Sequence, residues 1–156
     1  MKLNSKVFGI INHKTMNIPL RKDQLSPISY FIQCVYENDV AGVLRALAMG
    51  VKPDTYAHRM DGMTALFIAS MNGNLVIMEI LLLAGANPNK QDKNGRRPIH
   101  HAMGQNHVDA VKRLLDAGAD PNSIDNSGRS LLYYQLLYKN HPPMIQLLLQ
   151  YGATLT

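Results

Sequence analysis

The chain has 156 residues, of which 46% are apolar and 17% charged, a composition that is typical of a globular protein and excludes a chain disordered throughout. One cysteine, Cys34, excludes an internal disulfide, and the apolar runs are too short for a secretory signal or a membrane span. The net charge of +5 comes mainly from residues 1–24, with five basic and one acidic residue, whereas residues 25–156 carry eleven basic and ten acidic residues.

Residues 1–24 form a basic N-terminal segment, which we interpret either as a flexible arm or as a cap over the first structural unit. The rest of the chain shows helical periodicity, with apolar residues at i, i+3 and i+4 in stretches such as Val108, Val111, Leu114 and Leu115. We predict four helix pairs, near residues 27–48, 65–83, 98–116 and 131–150. Each pair is followed by a glycine suited to a left-handed helix C-cap and, after the first three, by a turn rich in Pro, Asn, Asp and Gly.

Two series of glycines show that the helix pairs are repeats. Gly50, Gly85, Gly118 and Gly152 are spaced by 35, 33 and 34 residues, and Gly62, Gly95 and Gly128 are spaced by 33 and 33. A single helix pair cannot bury its apolar face, whereas stacked pairs can. The period therefore predicts a solenoid, with Leu81, Leu82, Leu114, Leu115, Leu148 and Leu149 buried between its layers.

The stretch "DKNGRRPIHHAMGQNHVDAVKRLLDAGADPN", residues 92–122, resembles an ankyrin repeat in length and in the position of its Pro-Ile-His signature. The fourth unit departs from the pattern at Gln135 and by an extra residue near Lys139–His141, and the first unit lacks the signature. The resemblance implies an all-α ankyrin-repeat solenoid of stacked antiparallel helix pairs with protruding β-hairpin-like turns. We place the repeat domain at residues 25–156, with repeats at about 25–58, 59–91, 92–124 and 125–156.

Three histidines in "PIHHAMGQNH" raise the question of a metal or catalytic site. The resemblance implies that His100 and His107 are structural, and only His101 occupies a variable position. A metal site needs three or four converging ligands, and Phe67 and Tyr133, which occupy the position of His100, preserve none. We also find no phosphate loop, dinucleotide fingerprint or nucleophile elbow. We therefore expect no catalytic, cofactor-binding or metal-binding residues and no enzymatic activity.

The ankyrin resemblance implies that a partner binds the concave surface built from the first helices and the turn tips. By position, the predicted partner-binding residues are Tyr36, Arg59, Met63, Ile68, Met71, Lys90, Lys93, Arg96, His101, Gln105, Arg129, Tyr134 and Tyr138. Tyrosine and arginine are common among interface hot spots. We expect a groove with an aromatic floor and a basic rim, suited to a peptide or loop with apolar anchors and acidic flanks. For any one lysine, a solvated surface charge is the simpler interpretation.

The leading hypothesis is a non-enzymatic module for protein–protein interaction, acting as an adaptor, an inhibitor or an effector-type recognition domain. The alternative is a regulatory or targeting domain of a larger enzyme or assembly. Nucleic-acid binding through the basic N-terminal segment is the weaker third option, because the repeat body is nearly neutral. We expect a monomer without membrane contact, inside a cell in the cytoplasm or nucleus. Delivery into a host cell, as for a bacterial effector, is left open.

Overall fold

The computed structural model describes residues 25–57 and 62–155, which form four stacked helix pairs. All four pairs lie where the periodicity predicts them, and within the described residues the fold is all-α. In chain order the helices are α1 (Pro27–Tyr36), α2 (Val40–Ala48), α3 (Ala65–Asn72), α4 (Leu75–Leu83), α5 (Pro98–Gly104), α6 (Val108–Asp116), α7 (Leu131–Tyr134) and α8 (Pro142–Gln150).

Capping residues determine where the helices begin and end. Ser26 caps α1, because its side chain accepts a hydrogen bond from the Ser29 N–H at 3.2 Å, and Pro27 occupies the first turn. Gly85 and Gly118 follow α4 and α6 with φ of +93° and +90°, which confirms the predicted left-handed glycines. None of the helices in the described residues is long and apolar enough to cross a membrane.

The core lies between successive helix pairs. Leu81, Leu114 and Leu148 are completely buried, and Leu115 is 5% exposed, as the period predicts. Leu82 is only half-buried. The prediction is wrong for Leu149, which is 54% exposed, because within the described residues no helix pair packs on the far side of α8.

Short turns join the helix pairs, and they contain paired backbone but no extended sheet in the described residues. Isolated antiparallel bridges join Tyr56 to Thr64 and Ile124 to Ser130. In the turn that precedes the third helix pair, here called the third turn, the Asp92 N–H donates to the Arg96 carbonyl at 2.8 Å. The turns therefore project the residues at their tips away from the helices.

A ladder of side-chain hydrogen bonds links successive repeats. The amide oxygen of Asn89 accepts from the Asp120 N–H at 2.9 Å, and its amide nitrogen donates to the Gly118 carbonyl at 2.9 Å. One repeat later, Asn122 does the same with the Thr154 N–H and the Gly152 carbonyl. The ladder fixes the offset between neighbouring repeats at the loops, where apolar packing does not reach.

The extra residue in the fourth repeat is accommodated by a change of helix type. Helix α7 continues as a π-helical turn over Gln135–Lys139, which ends at Asn140 with φ of +43°. A π turn holds one more residue than an α turn, so the insertion widens the helix. Gln135 is fully buried there.

Candidate protein-binding groove

A cavity of about 240 Å³ lies between the third and fourth repeats, where α5 and α7 meet the turns that precede them. Its lining is Met71, Arg96, His100, His101, Met103, Gly104, Gln105, Asp125, Arg129, Ser130 and Tyr134. Six of these, Met71, Arg96, His101, Gln105, Arg129 and Tyr134, are among the thirteen residues predicted to bind a partner. We call the surface formed by α3, α5, α7 and their preceding turns the groove.

Tyr134 lines the cavity on the fourth-repeat side, and the ring of Tyr138 packs beside it. The rings of Tyr134 and Tyr138 are 5.3 Å apart between centroids and tilted by 42°, because residues four apart in a helix share a face. Tyr138 is 60% exposed, and its hydroxyl interacts with the Arg129 guanidinium. The half-buried Tyr134 and the exposed Tyr138 together offer a large, stiff contact area to a ligand.

Some cations of the predicted basic rim interact with other side chains of the protein, and one does not form an ion pair within the part of the chain that the structure describes. The Arg129 guanidinium lies 2.9 Å from the Asp125 carboxylate, and the Lys90 ammonium lies 4.4 Å from the centroid of the Tyr56 ring. Arg96 is exposed, and its side chain has no ion pair with any other described residue. Arg96 is therefore the cation of the cavity that remains available for an acidic group.

The His101 side chain contacts other residues of the protein, one of them in the preceding turn. Its Nε2 lies 3.2 Å from the Asp92 carboxylate, and its ring meets Phe67 edge-on at 5.4 Å between centroids. Burial lowers the pKa of His101, although the hydrogen bond with Asp92 acts in the opposite direction. A partner that contacts His101 would therefore touch an imidazole ring whose position is already fixed by Asp92 and Phe67.

His100 lines the same cavity, although it was assigned only a structural role from the sequence. Its Nδ1 accepts a hydrogen bond from the Arg97 N–H at 3.0 Å, so the proton of the neutral ring is on Nε2. Burial lowers the pKa of His100 to about 4, and the ring is therefore neutral at physiological pH. Its buried Nε2 has no hydrogen-bond partner among the described residues.

Asp125 is a cavity residue that the sequence analysis missed. Burial raises its pKa, but hydrogen bonds from the Arg129 side chain and from backbone N–H groups outweigh this and lower the pKa overall. Asp92 occupies the same position one repeat earlier, and its carboxylate likewise accepts from two backbone N–H groups. The 33-residue spacing of these two aspartates is the sequence signal that could have identified both as residues with the same role in successive turns.

Several predicted residues lie outside the cavity. Ile68 is completely buried against the neighbouring helices, so its assignment to the partner-binding surface is wrong. Tyr36 and Met63 are half-buried elsewhere on the first two repeats, and burial raises the pKa of Tyr36. Arg59 lies outside the described residues. Lys93 is exposed at the tip of the third turn.

The described residues contain no group of three His, Cys, Asp or Glu side chains that could hold a metal ion. Cys34 lies buried in α1 and forms no disulfide. The chemistry that the groove offers is therefore apolar contact, hydrogen bonding and charge.

Comparison with known proteins identifies related sequences. The profile of a family described as ankyrin repeats (3 copies) matches residues 31–125 and, in a second overlapping match, residues 76–156. The human "Arf-GAP with coiled-coil, ANK repeat and PH domain-containing protein 2" is 34% identical over 92 residues, which is 59% of this chain and 12% of that protein. The human "ARF GTPase-activating protein GIT1" is 35% identical over 71 residues, 46% of this chain and 9% of that protein. The chain thus spans about a tenth of the length of these curated relatives.

Proposed function

Because the chain belongs to the ankyrin-repeat family, we propose that it binds a partner protein through the groove, with a bulky side chain of the partner seated in the cavity between the third and fourth repeats. Ankyrin repeats are protein-interaction modules, and in this chain the groove supplies the recognition chemistry. The observation that carries the proposal is the cavity, which places Met71 and Tyr134 beside the open cation Arg96.

The chemistry of the cavity suggests the character of the partner. Methionine adapts to irregular apolar surfaces and contacts aromatic rings favourably, so Met71 and Tyr134 suit an aromatic or long aliphatic anchor. Arg96 and the exposed Lys93 suit an acidic residue beside that anchor. The partner segment we propose therefore combines one apolar anchor with an acidic flank.

The groove proposal is tested by the kinetics of binding to a partner recovered by affinity capture. Tyr134→Ala or Tyr138→Ala should weaken binding by about 2 kcal/mol, mainly through faster dissociation, because aromatic anchors dominate interface energy. Lys93→Glu or Arg96→Glu should slow association and flatten its salt dependence, because rim charges steer the encounter. Surface plasmon resonance at two salt concentrations measures both.

Lys112→Glu is the matched control for the charge reversals. Lys112 is an exposed cation on α6, the second helix of the third repeat, and it does not line the groove. Its reversal should leave the association rate close to that of the parent. If all four groove variants bind like the parent, the partner contacts another surface.

A second candidate function is a regulatory or targeting role beside a catalytic domain. It is favoured by the relatives, whose printed names describe GTPase-activating proteins and of which the matching region is only about a tenth. The activity of a captured enzyme, measured with and without saturating chain, would test it. An unchanged rate and an unchanged location of the enzyme would leave plain binding as the function.

A further inference from the structure

The fourth repeat exposes a group of large apolar side chains on the side that faces away from the third repeat. Tyr133 and Leu136 are each 43% exposed, and Leu149 is 54% exposed. Ile145 and Leu149 also line an open depression on α8. We call these four residues the end face.

Several of the equivalent positions are buried in the repeats that are followed by another repeat, although His100 and Leu82 are only half-buried there. Phe67 stands at the position of Tyr133 and is 0% exposed, and Met103 stands at the position of Leu136 and is 2% exposed. The ring of His101 in α5 packs against Phe67, and Met103 lies at the junction with the fourth repeat, where it lines the cavity. Tyr133 lies in the α-helical part of its repeat, so its exposure reflects the lack of a packed neighbour among the described residues, whereas Leu136 lies in the π-helical turn.

The second helix gives the same result independently. At equivalent positions of the second helices, Leu82 of α4 is half-buried and Leu115 of α6 is 5% exposed, whereas Leu149 of α8 is 54% exposed. Solenoids that end in water usually carry polar residues on the outer face of the terminal repeat. Leucine at this position is instead the residue type that an internal repeat uses for packing.

The fourth repeat is also poor in charge. Between residues 131 and 155 the only Lys, Arg, Asp or Glu is Lys139, whereas residues 98–122 contain five, namely Asp109, Lys112, Arg113, Asp116 and Asp120. In a two-fold contact the same patch is presented by both subunits, so a fixed charge near the axis would approach its own copy. An apolar patch with almost no charge avoids that repulsion.

We propose that two copies of this chain pack their end faces together about a two-fold axis and form a closed dimer. The second copy covers Tyr133, Leu136, Ile145 and Leu149 as a following helix pair would. A dimer replaces the monomer that we expected from the sequence. The end face is separate from the cavity, so this proposal does not depend on the proposed function.

Sedimentation velocity of the full chain over a range of concentrations tests the proposal. We expect a concentration-dependent dimer of the 17.4 kDa chain. Leu149→Glu and Leu136→Glu should each raise the dimer dissociation constant roughly tenfold or more, because burying an unpaired carboxylate is unfavourable. Thermal melts establish that both variants remain folded.

Leu83→Glu is the matched control, because Leu83 is a leucine near the end of α4 that is 79% exposed and outside the end face. This variant should dimerise like the parent. A monomer at every concentration would overturn the proposal, as would a dimer that neither end-face variant weakens. Open-ended growth to larger species would show a head-to-tail contact and would also overturn it.

Discussion

The His100 imidazole shows how one residue couples the turn to the helix that follows it. Its Nδ1 accepts from the Arg97 N–H, which would otherwise be an unpaired donor at the start of α5. Burial makes the protonated ring unfavourable and lowers the pKa to about 4. The neutral ring is therefore part of the folded structure.

We predict that the protein loses stability as the pH falls from about 6.5 to about 4. The unfolded chain takes up a proton on His100 near its ordinary pKa of 6.5, whereas the folded chain does so only near 4. Protonation thus favours the unfolded state in this range. At about 1.4 kcal/mol per pH unit, the loss attributable to His100 approaches about 3 kcal/mol. Urea unfolding at a series of pH values measures it.

His100→Phe is the variant that isolates this effect, since Phe67 already fills the equivalent position one repeat earlier. Its unfolding free energy should vary less with pH than that of the parent. A smaller slope should remain, because burial also lowers the pKa of His101. An unaltered slope would show that His100 does not titrate in this range.

Gly95 and Gly128 provide a matched pair in successive turns. Their φ angles are +71° and +72°, so replacement by alanine strains both backbones alike, by about 1 kcal/mol. A Cβ on Gly95 would also press against the Asn126 side chain and lie 3.0 Å from the Asn126 N, whereas a Cβ on Gly128 meets nothing within 4 Å. We expect Gly95→Ala to lower the melting temperature more than Gly128→Ala. Equal losses would contradict the contact between the two turns.

At the scale of helices, stability comes from packing between successive pairs. Leu114→Ala should cost about 2–5 kcal/mol, because it leaves a cavity at a fully buried position of α6. Leu83→Ala, at a position that is 79% exposed, should change the unfolding free energy by no more than about 0.5 kcal/mol. Denaturant unfolding compares them. Similar losses from both variants would mean that the helix register is wrong.

The π-helical turn is a feature whose position, but not whose conformation, could be predicted from the sequence. The sequence located the extra residue near Lys139–His141, because the spacing there exceeds that of the neighbouring repeats. It did not show whether the residue would enter the loop or the helix. In the structure the turn places Gln135 in the core, where its side-chain amide has no hydrogen-bond partner among the described residues, and leaves Tyr138 exposed beside Tyr134.

For the whole molecule, the distribution of charge favours protein binding by the repeats over nucleic-acid binding by the repeats. Residues 1–24 carry a net charge of +4 and the remaining residues +1. We predict that any nonspecific binding to DNA is weak, falls steeply with salt and disappears when residues 1–24 are deleted. Fluorescence anisotropy with a labelled duplex measures this. Retention of DNA binding by the truncated chain would place the contact on the repeats.

The helix pairs and their period were predictable, because each repeat restates the same apolar spacing. The contents of the groove were less so. The ankyrin resemblance placed Ile68 on the partner surface, whereas the packing of α5 against α3 buries it completely. His100 and Asp125 were missed because a single repeat shows them only as structural residues, and the cavity forms where two repeats meet.

The asparagine ladder has a consequence for how such a chain can change its length. Asn89 bonds to the Gly118 carbonyl, and Asn122 bonds in the same way to the Gly152 carbonyl, so both junctions use identical chemistry. A tandem duplication of residues 90–122 would give the new copy its own Gly118 carbonyl, which accepts from the asparagine of the preceding repeat. It would also give the new copy its own Asn122, which donates to the glycine carbonyl of the following repeat. Duplication of one repeat would therefore lengthen the groove while reusing the existing hydrogen bonds between repeats. The residues that face the partner would then be free to change by mutation, because they take no part in these bonds.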